Sequence, residues 1–278
     1  MSVASLSTPA SPTRIASRAG RIALVLYVIV FLAFLVGPIL LVVVASFSPS
    51  PFVTFPLKGL SLRWYARVAD YKPFLDSLWL SLELAVLSSA IGSVFAIPAA
   101  LALGRARNST AAVAVGLLLS PLSIPGIIVG YSMLYFFSAM YIRPGFLALL
   151  IAHSIVAIPY ILRTTLSVYK TMPPHAEEAA VILGANRLQV FVFVTAPQLS
   201  SAIFAGMLFS FLVSLDNLPI SFFFGTASTS PLPVVMMSYL QNQFDPSVAA
   251  IATVQMALAV IALIVVDRIF GIGRLHSA

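Results

Sequence analysis

The sequence predicts an all-α, polytopic membrane protein with about six transmembrane helices, and three observations carry that prediction. Of its 278 residues, 60% are hydrophobic and only 8% are charged, against about a quarter charged in a soluble domain. The apolar residues gather into six runs, each long enough at about 1.5 Å per residue to cross a hydrocarbon core about 30 Å thick. The charged residues lie mostly in the short segments between those runs. Cysteine is absent, which excludes disulfides, thiolate zinc sites and a cysteine nucleophile. The net charge of +7 is scattered over the connections, the pattern of membrane topology and not of a nucleic-acid surface.

Residues 1–20 are rich in Ser, Thr, Ala and Pro and are expected to form a disordered cytoplasmic tail ahead of a transmembrane domain over 21–278. The first run, Ile22–Ser46, follows Arg14, Arg18 and Arg21. It exceeds the roughly 7–15 apolar residues of a secretory signal and reads as an uncleaved span. The others are Ser77–Leu103, Ala111–Met140, Gly145–Tyr169, Leu199–Phe224 and Ser247–Phe270. Residues 47–73 read as a longer loop with Trp64 and Tyr65, and 104–108 as a short basic turn. In the third run, Pro121 and Pro125 remove backbone donors and should kink or break the helix. Gly126 and Gly130 form a GxxxG, which permits close helix approach and here reads as ordinary packing.

A cytoplasmic N-terminus places ten of the fifteen Lys and Arg residues inside: Arg14, Arg18, Arg21, Arg105, Arg107, Arg163, Lys170, Arg187, Arg268 and Arg274. Outside are Lys58, Arg63, Arg67, Lys72 and Arg143, four of them in one loop. The bias predicts that both termini are cytoplasmic.

Residues 172–197, MPPHAEEAAVILGANRLQVFVFVTAP, are the sizeable stretch that is not plainly buried in lipid. Pro173 and Pro174 stop one helix and can start another. Glu177 and Glu178 then sit where the new helix's dipole favours anions, and Gly184 with Asn186 can close it. A second amphipathic stretch over Leu188–Val194 is expected to end at Pro197. By periodicity alone, the pair is equally an amphipathic connector lying on the membrane surface.

These residues resemble the cytoplasmic loop of binding-protein-dependent ABC importer permeases, whose pattern is Glu-Ala-Ala, three residues, Gly, nine residues, then Ile-x-Leu-Pro. Glu178, Ala179, Ala180, Gly184 and Pro197 match at that spacing. Val194 replaces Ile, and Ala196 replaces Leu, which leaves less apolar surface there. Ser120–Gly130, Ala152-His153-Ser154, Leu215-Asp216-Asn217, Ser221-Phe222-Phe223, Pro231-Leu232-Pro233 and Gly59–Tyr65 are similar to the spermidine/putrescine branch, most of all to its second permease.

The resemblance implies a permease in the bacterial cytoplasmic membrane that forms half of a translocation pathway and couples to ATP hydrolysis through those five loop residues. It implies as partners a second permease subunit, two cytoplasmic ATP-binding subunits and an external solute-binding protein. A polyamine or other small cationic amine is the expected solute; phosphonate, thiamine and iron are alternatives within the same class. No phosphate-cradling P-loop occurs here, so ATP belongs on a separate subunit and the permease itself needs no cofactor. No nucleophile and base pair stands in the spans, and His175 beside Glu178 lacks the further ligands a metal needs. The chain is therefore not expected to be an enzyme. A secondary transporter would also show six spans, but internal repeats of the kind such proteins carry are not evident.

Polar groups inside spans are costly and therefore mark candidate function. Glu83 lies seven residues into the second span, about 10 Å deep. His153, Asp216 and Gln255 each lie eight residues in, about 12 Å deep, and Tyr131 falls at a similar level. These five are the candidate pathway residues, with Asp216 foremost because Pro219 follows. The alternative is that they only satisfy one another and fix packing.

Overall fold

The computed structural model describes residues 18–52, 59–106, 108–243 and 245–270; most of the expected tail lies outside them, and its last three positions, 18–20, are helical. Helix α1, Arg18–Ser46, is apolar on all sides and packs chiefly along the last helix, α12, Ser247–Phe270. Between α1 and the second span, where the sequence suggested a loop, lies a short helix α2, Arg63–Asp70. Its residues Trp64 and Val68, four apart, share one buried face, and the exposed Arg63 lies over the edge of that face with its guanidinium 4.3 Å from the Trp64 ring centre. The Trp64 indole donates to the Ser48 carbonyl at 2.7 Å, which pins α2 under the end of α1.

Helix α3, Lys72–Gly104, starts five residues before the predicted span because Pro73 supplies a pre-set first turn. It packs along α6, Phe146–Thr171, and α9, Ala196–Leu215, and these three helices form the centre of the bundle. The faces that meet are lined by small residues, among them Ser88, Gly92 and Ala96 on α3 and Ala152 and Ala157 on α6. Close backbone approach is how apolar helices hold together in lipid, where no hydrophobic driving force separates them from the solvent.

The third span is broken. Helix α4, Ser109–Leu119, runs into a 3₁₀ turn at Ser120–Ser123, and α5, Gly126–Ala139, leaves at 108° to the first half. Pro121 and Pro125 flank the bend, as the missing donors require. Among the described residues, five helices are thus long and apolar enough to cross a membrane, or six with the bent pair taken as one span.

Two further expectations are corrected. The cytoplasmic stretch after α7, His175–Ile182, does not end at Pro197: α8, Arg187–Val190, passes through a π turn at Phe191–Thr195 directly into α9. In that turn the Ala196 amide bonds five residues back, to the Phe191 carbonyl, and the looser winding seats a proline in the next position without breaking the helix. The resulting helix runs from Arg187 to Leu215. The fifth run, in turn, is not one helix to Phe224. It stops at Leu215 and resumes as α10, Leu218–Phe224, whose first amides are capped by the Asn217 side chain.

At the end of the bundle away from α7, α11, Leu232–Asn242, packs on α3, α10 and α12. Trp64, Phe74, Leu232 and Ile251 form its core. The Leu232 amide donates to Ser81 Oγ at 2.8 Å, and Arg67 pairs with Asp245 at 3.1 Å. Burial pushes the Asp245 carboxyl up, but hydrogen bonds from Ser247 and Tyr239 and the Arg67 charge together outweigh it and hold it below the usual range.

Candidate functional site: a coupling loop and a broken-helix polar network

The loop between α6 and α9 is built around two features. Helix α7 ends in a Schellman motif: the Ala185 amide reaches the Ala180 carbonyl at 3.0 Å and the Gly184 amide reaches Val181 at 2.9 Å. Gly184 takes φ +89° to do so, and nothing lies within 4 Å of where a Cβ would stand. Its requirement is therefore conformational, not a matter of space. Asn186 and Gln189 then form a reciprocal capping box that starts α8. The turn aims the two helices with little freedom.

The second feature is Glu177. Its carboxylate pairs with Arg105 at 3.1 Å and accepts from Thr195 Oγ1 at 2.7 Å and from the Tyr169 hydroxyl at 3.4 Å. Arg105 also donates to the Met172 carbonyl at 3.0 Å and lies 4.5 Å over the Tyr169 ring. Burial works against the Arg105 charge, but the Tyr169 and Glu177 partners outweigh it and raise its pKa. This cluster ties α7 to the ends of α3, α6 and α9, and places the end of α3 and the loop on one side of the bundle. Sequence reasoning gave Glu177 only a place near the dipole; the signal for its role is Arg105, far away in sequence.

Glu178 points elsewhere. It is solvent-exposed and meets only the exposed His175 at 3.8 Å among the described contacts. Beyond it, Val181, Ile182, Leu183 and Leu188 are all more than half exposed. Ala179 is exposed and Ala180 half-buried. An exposed apolar patch of this kind marks a contact with another protein or with the membrane surface.

The second site sits at the break between α9 and α10. His153, buried on α6, reaches Ser214 Oγ with Nδ1 at 2.7 Å and Ser221 Oγ with Nε2 at 3.3 Å. Ser88 of α3 donates to Ser214 at 3.2 Å. Ser214 can then donate to Nδ1, leaving the Nε2 proton for Ser221, so a neutral imidazole satisfies the set. One side chain thus bridges the last turn of α9 and the first turn of α10. Gln255 of α12 donates to the Leu215 carbonyl freed by the break, at 3.3 Å. Asp216 occupies the α9 C-cap and is exposed.

The five predicted pathway residues are therefore only partly united. His153, Asp216 and Gln255 converge on the break. Tyr131 meets α10 edge-on through Phe223, with ring centroids 6.0 Å apart. The GxxxG behind it is a real close approach, since a Cβ on Gly130 would stand 2.9 Å from the Pro219 carbonyl oxygen. Glu83 stands apart. It lies about 200° round α3 from Ser81, at about 100° per residue, and with Asp76, Trp79 and Ser228 lines a separate hollow of about 520 Å³. Ser88, Ser214 and Ser221 were missed, because serines packed between helices carry no periodic signal.

Residues 92–271 match the family described as the binding-protein-dependent transport system inner membrane component. The chain is 31% identical to the Escherichia coli K12 putrescine transport system permease protein PotI over 79% of its length and 80% of that protein's. It is 28% identical to the Haemophilus influenzae spermidine/putrescine transport system permease protein PotC, over 87% and 94%. Its fold is similar to a chain of a bacterial ABC transporter involved in import of the polysaccharide alginate, with a TM-score of 0.69, 20% identity and coverage of 91% and 98%. The family match covers well over half of the chain, takes in the whole loop with its Gly184 turn, and sits on a bundle of apolar helices: the chain belongs to the inner-membrane components of binding-protein-dependent transport systems and is a transport subunit, not an enzyme.

Proposed function

We propose that the chain is a permease subunit of an ATP-driven importer for a polyamine or other small cationic amine, and that it forms half of the translocation pathway. The exposed apolar end of α7, aimed by Gly184, carries this reading: it is the surface a cytoplasmic ATP-binding subunit would engage, with Glu178, Ala179 and Ala180 at its base. The partners are a second permease, two ATP-binding subunits and an external solute-binding protein. The two polyamine-system relatives support the solute class. The break at Asp216, with His153, Gln255 and Tyr131 around it, is the proposed pathway element; Pro197 serves the coupling by seating α9 behind the π turn.

The orientation that fits puts the loop and both termini in the cytoplasm, as the ten-to-five charge bias favours. In intact cells a cysteine at Ser50 should react with an impermeant thiol reagent and one at His175 should not. Detergent-solubilised protein should also retain a P-loop ATPase on purification. Labelling at His175 but not Ser50, or purification with no ATPase, contradicts the reading.

A further inference from the structure

Helix α3 makes polar contacts at three levels of the bundle. At the far end Ser81 accepts from the first amide of α11, and in the middle Ser88 holds Ser214 beside His153. At the loop end, one residue past the last turn, Arg105 holds Glu177. The chain itself links α7 to α6 through residues 172–174 and, through 183–186, to α8 and so to the continuous helix that ends as α9. It gives α3 no such link, although α3 is packed against both. We propose that the Arg105–Glu177 pair is the strut by which displacement of α7 reaches α3, so that the three central helices move together; this rests on the docking of an ATP-binding subunit at α7 proposed above.

The geometry suits a strut. Both oxygens of Glu177 are engaged, by Thr195 on one side and by Arg105 and Tyr169 on the other, and the two charged side chains are 34% and 17% exposed. Gly104 brings the end of α3 directly onto the Tyr169 ring, where a Cβ would collide. A push on α7 therefore acts on a braced carboxylate, not on a free side chain. Without the pair, α3 would be driven only through its side-by-side packing on α6 and α9, and the Ser88–Ser214 contact at the pathway would follow α7 less faithfully.

The test uses the full complex in proteoliposomes and reads solute moved per ATP hydrolysed. Arg105→Met keeps the apolar stem but loses the charge. It should bind the ATPase and hydrolyse ATP as the wild type does, while solute per ATP falls about tenfold, the scale of one charge-assisted hydrogen bond. Arg105→Lys, which keeps charge without the fork, should fall between. Unchanged solute per ATP in Arg105→Met overturns the proposal, as does a parallel fall of hydrolysis and transport in step with lost assembly, which would make the pair a folding staple. If the wild type binds no ATPase, the docking reading itself is overturned and the strut with it.

Discussion

Gly184→Val should abolish transport while the protein still reaches the membrane in normal amount. At φ +89° a β-branched residue is strained by about 1–3 kcal/mol, and the open space around the site offers no compensating packing. The Schellman hydrogen bonds would give way first, because they depend on that φ. Helix α7 would then lose its fixed angle to α8, although Glu177 would still hold its first turn. The apolar end formed by Val181, Ile182 and Leu183 would face the wrong way. Gly184→Asn is the informative control, since Asn tolerates positive φ better than other residues with a Cβ and should retain a substantial part of the rate. Uptake within about twofold of wild type by the valine variant, where only some 0.4 kcal/mol separates them, would remove this loop from the mechanism.

Asp216→Asn should raise the half-saturation for solute about tenfold, the loss of roughly 1.4 kcal/mol of attraction, without weakening the fold. The carboxylate stands at the C-terminal end of α9, where the helix dipole disfavours an anion. It directly follows the apolar span that ends at Leu215, where an unpaired charge is costly, and among the described residues it forms no ion pair with a basic side chain. Asparagine of nearly the same shape removes the charge while Asn217 continues to cap α10. The variant should therefore be at least as stable as the wild type, which a packing role would not predict. Thermal unfolding of the purified protein and the concentration dependence of uptake separate the two. Normal half-saturation, or a protein that fails to fold, leaves packing as the explanation.

Much of the loop was legible because its constraints are local. Proline stops, a dipole-compatible pair of acids and a glycine four residues after Ala180 each act within one or two turns, and the structure puts a turn with positive φ where the glycine stands. The bend at Pro121 and Pro125 was visible for the same reason. The continuous helix through Pro197 was not, because a proline normally reads as a stop and only a π turn upstream makes it tolerable. Helix α2 was hidden among prolines and charges, its two buried residues too few for a periodic signal. A pathway layer read from the sequence rests on depth along straight spans. Depth fixes a level but not a face, so Glu83 was grouped with residues from which α3 turns it away. The ties that unite distant segments, Arg105 to Glu177 and His153 to Ser214 and Ser221, depend on tertiary packing that no short window of sequence contains.

The central claim, that this chain is half of an ATP-driven import pathway, is tested most directly by uptake into proteoliposomes holding it with its companion permease, ATP-binding subunits and solute-binding protein. Labelled putrescine or spermidine should enter only when ATP and the binding protein are both present, and omission of this chain should abolish entry. Uptake that proceeds without ATP hydrolysis, as by a secondary transporter, would contradict the claim. ATP-driven uptake of phosphonate, thiamine or iron with no uptake of polyamines would contradict the solute assigned here.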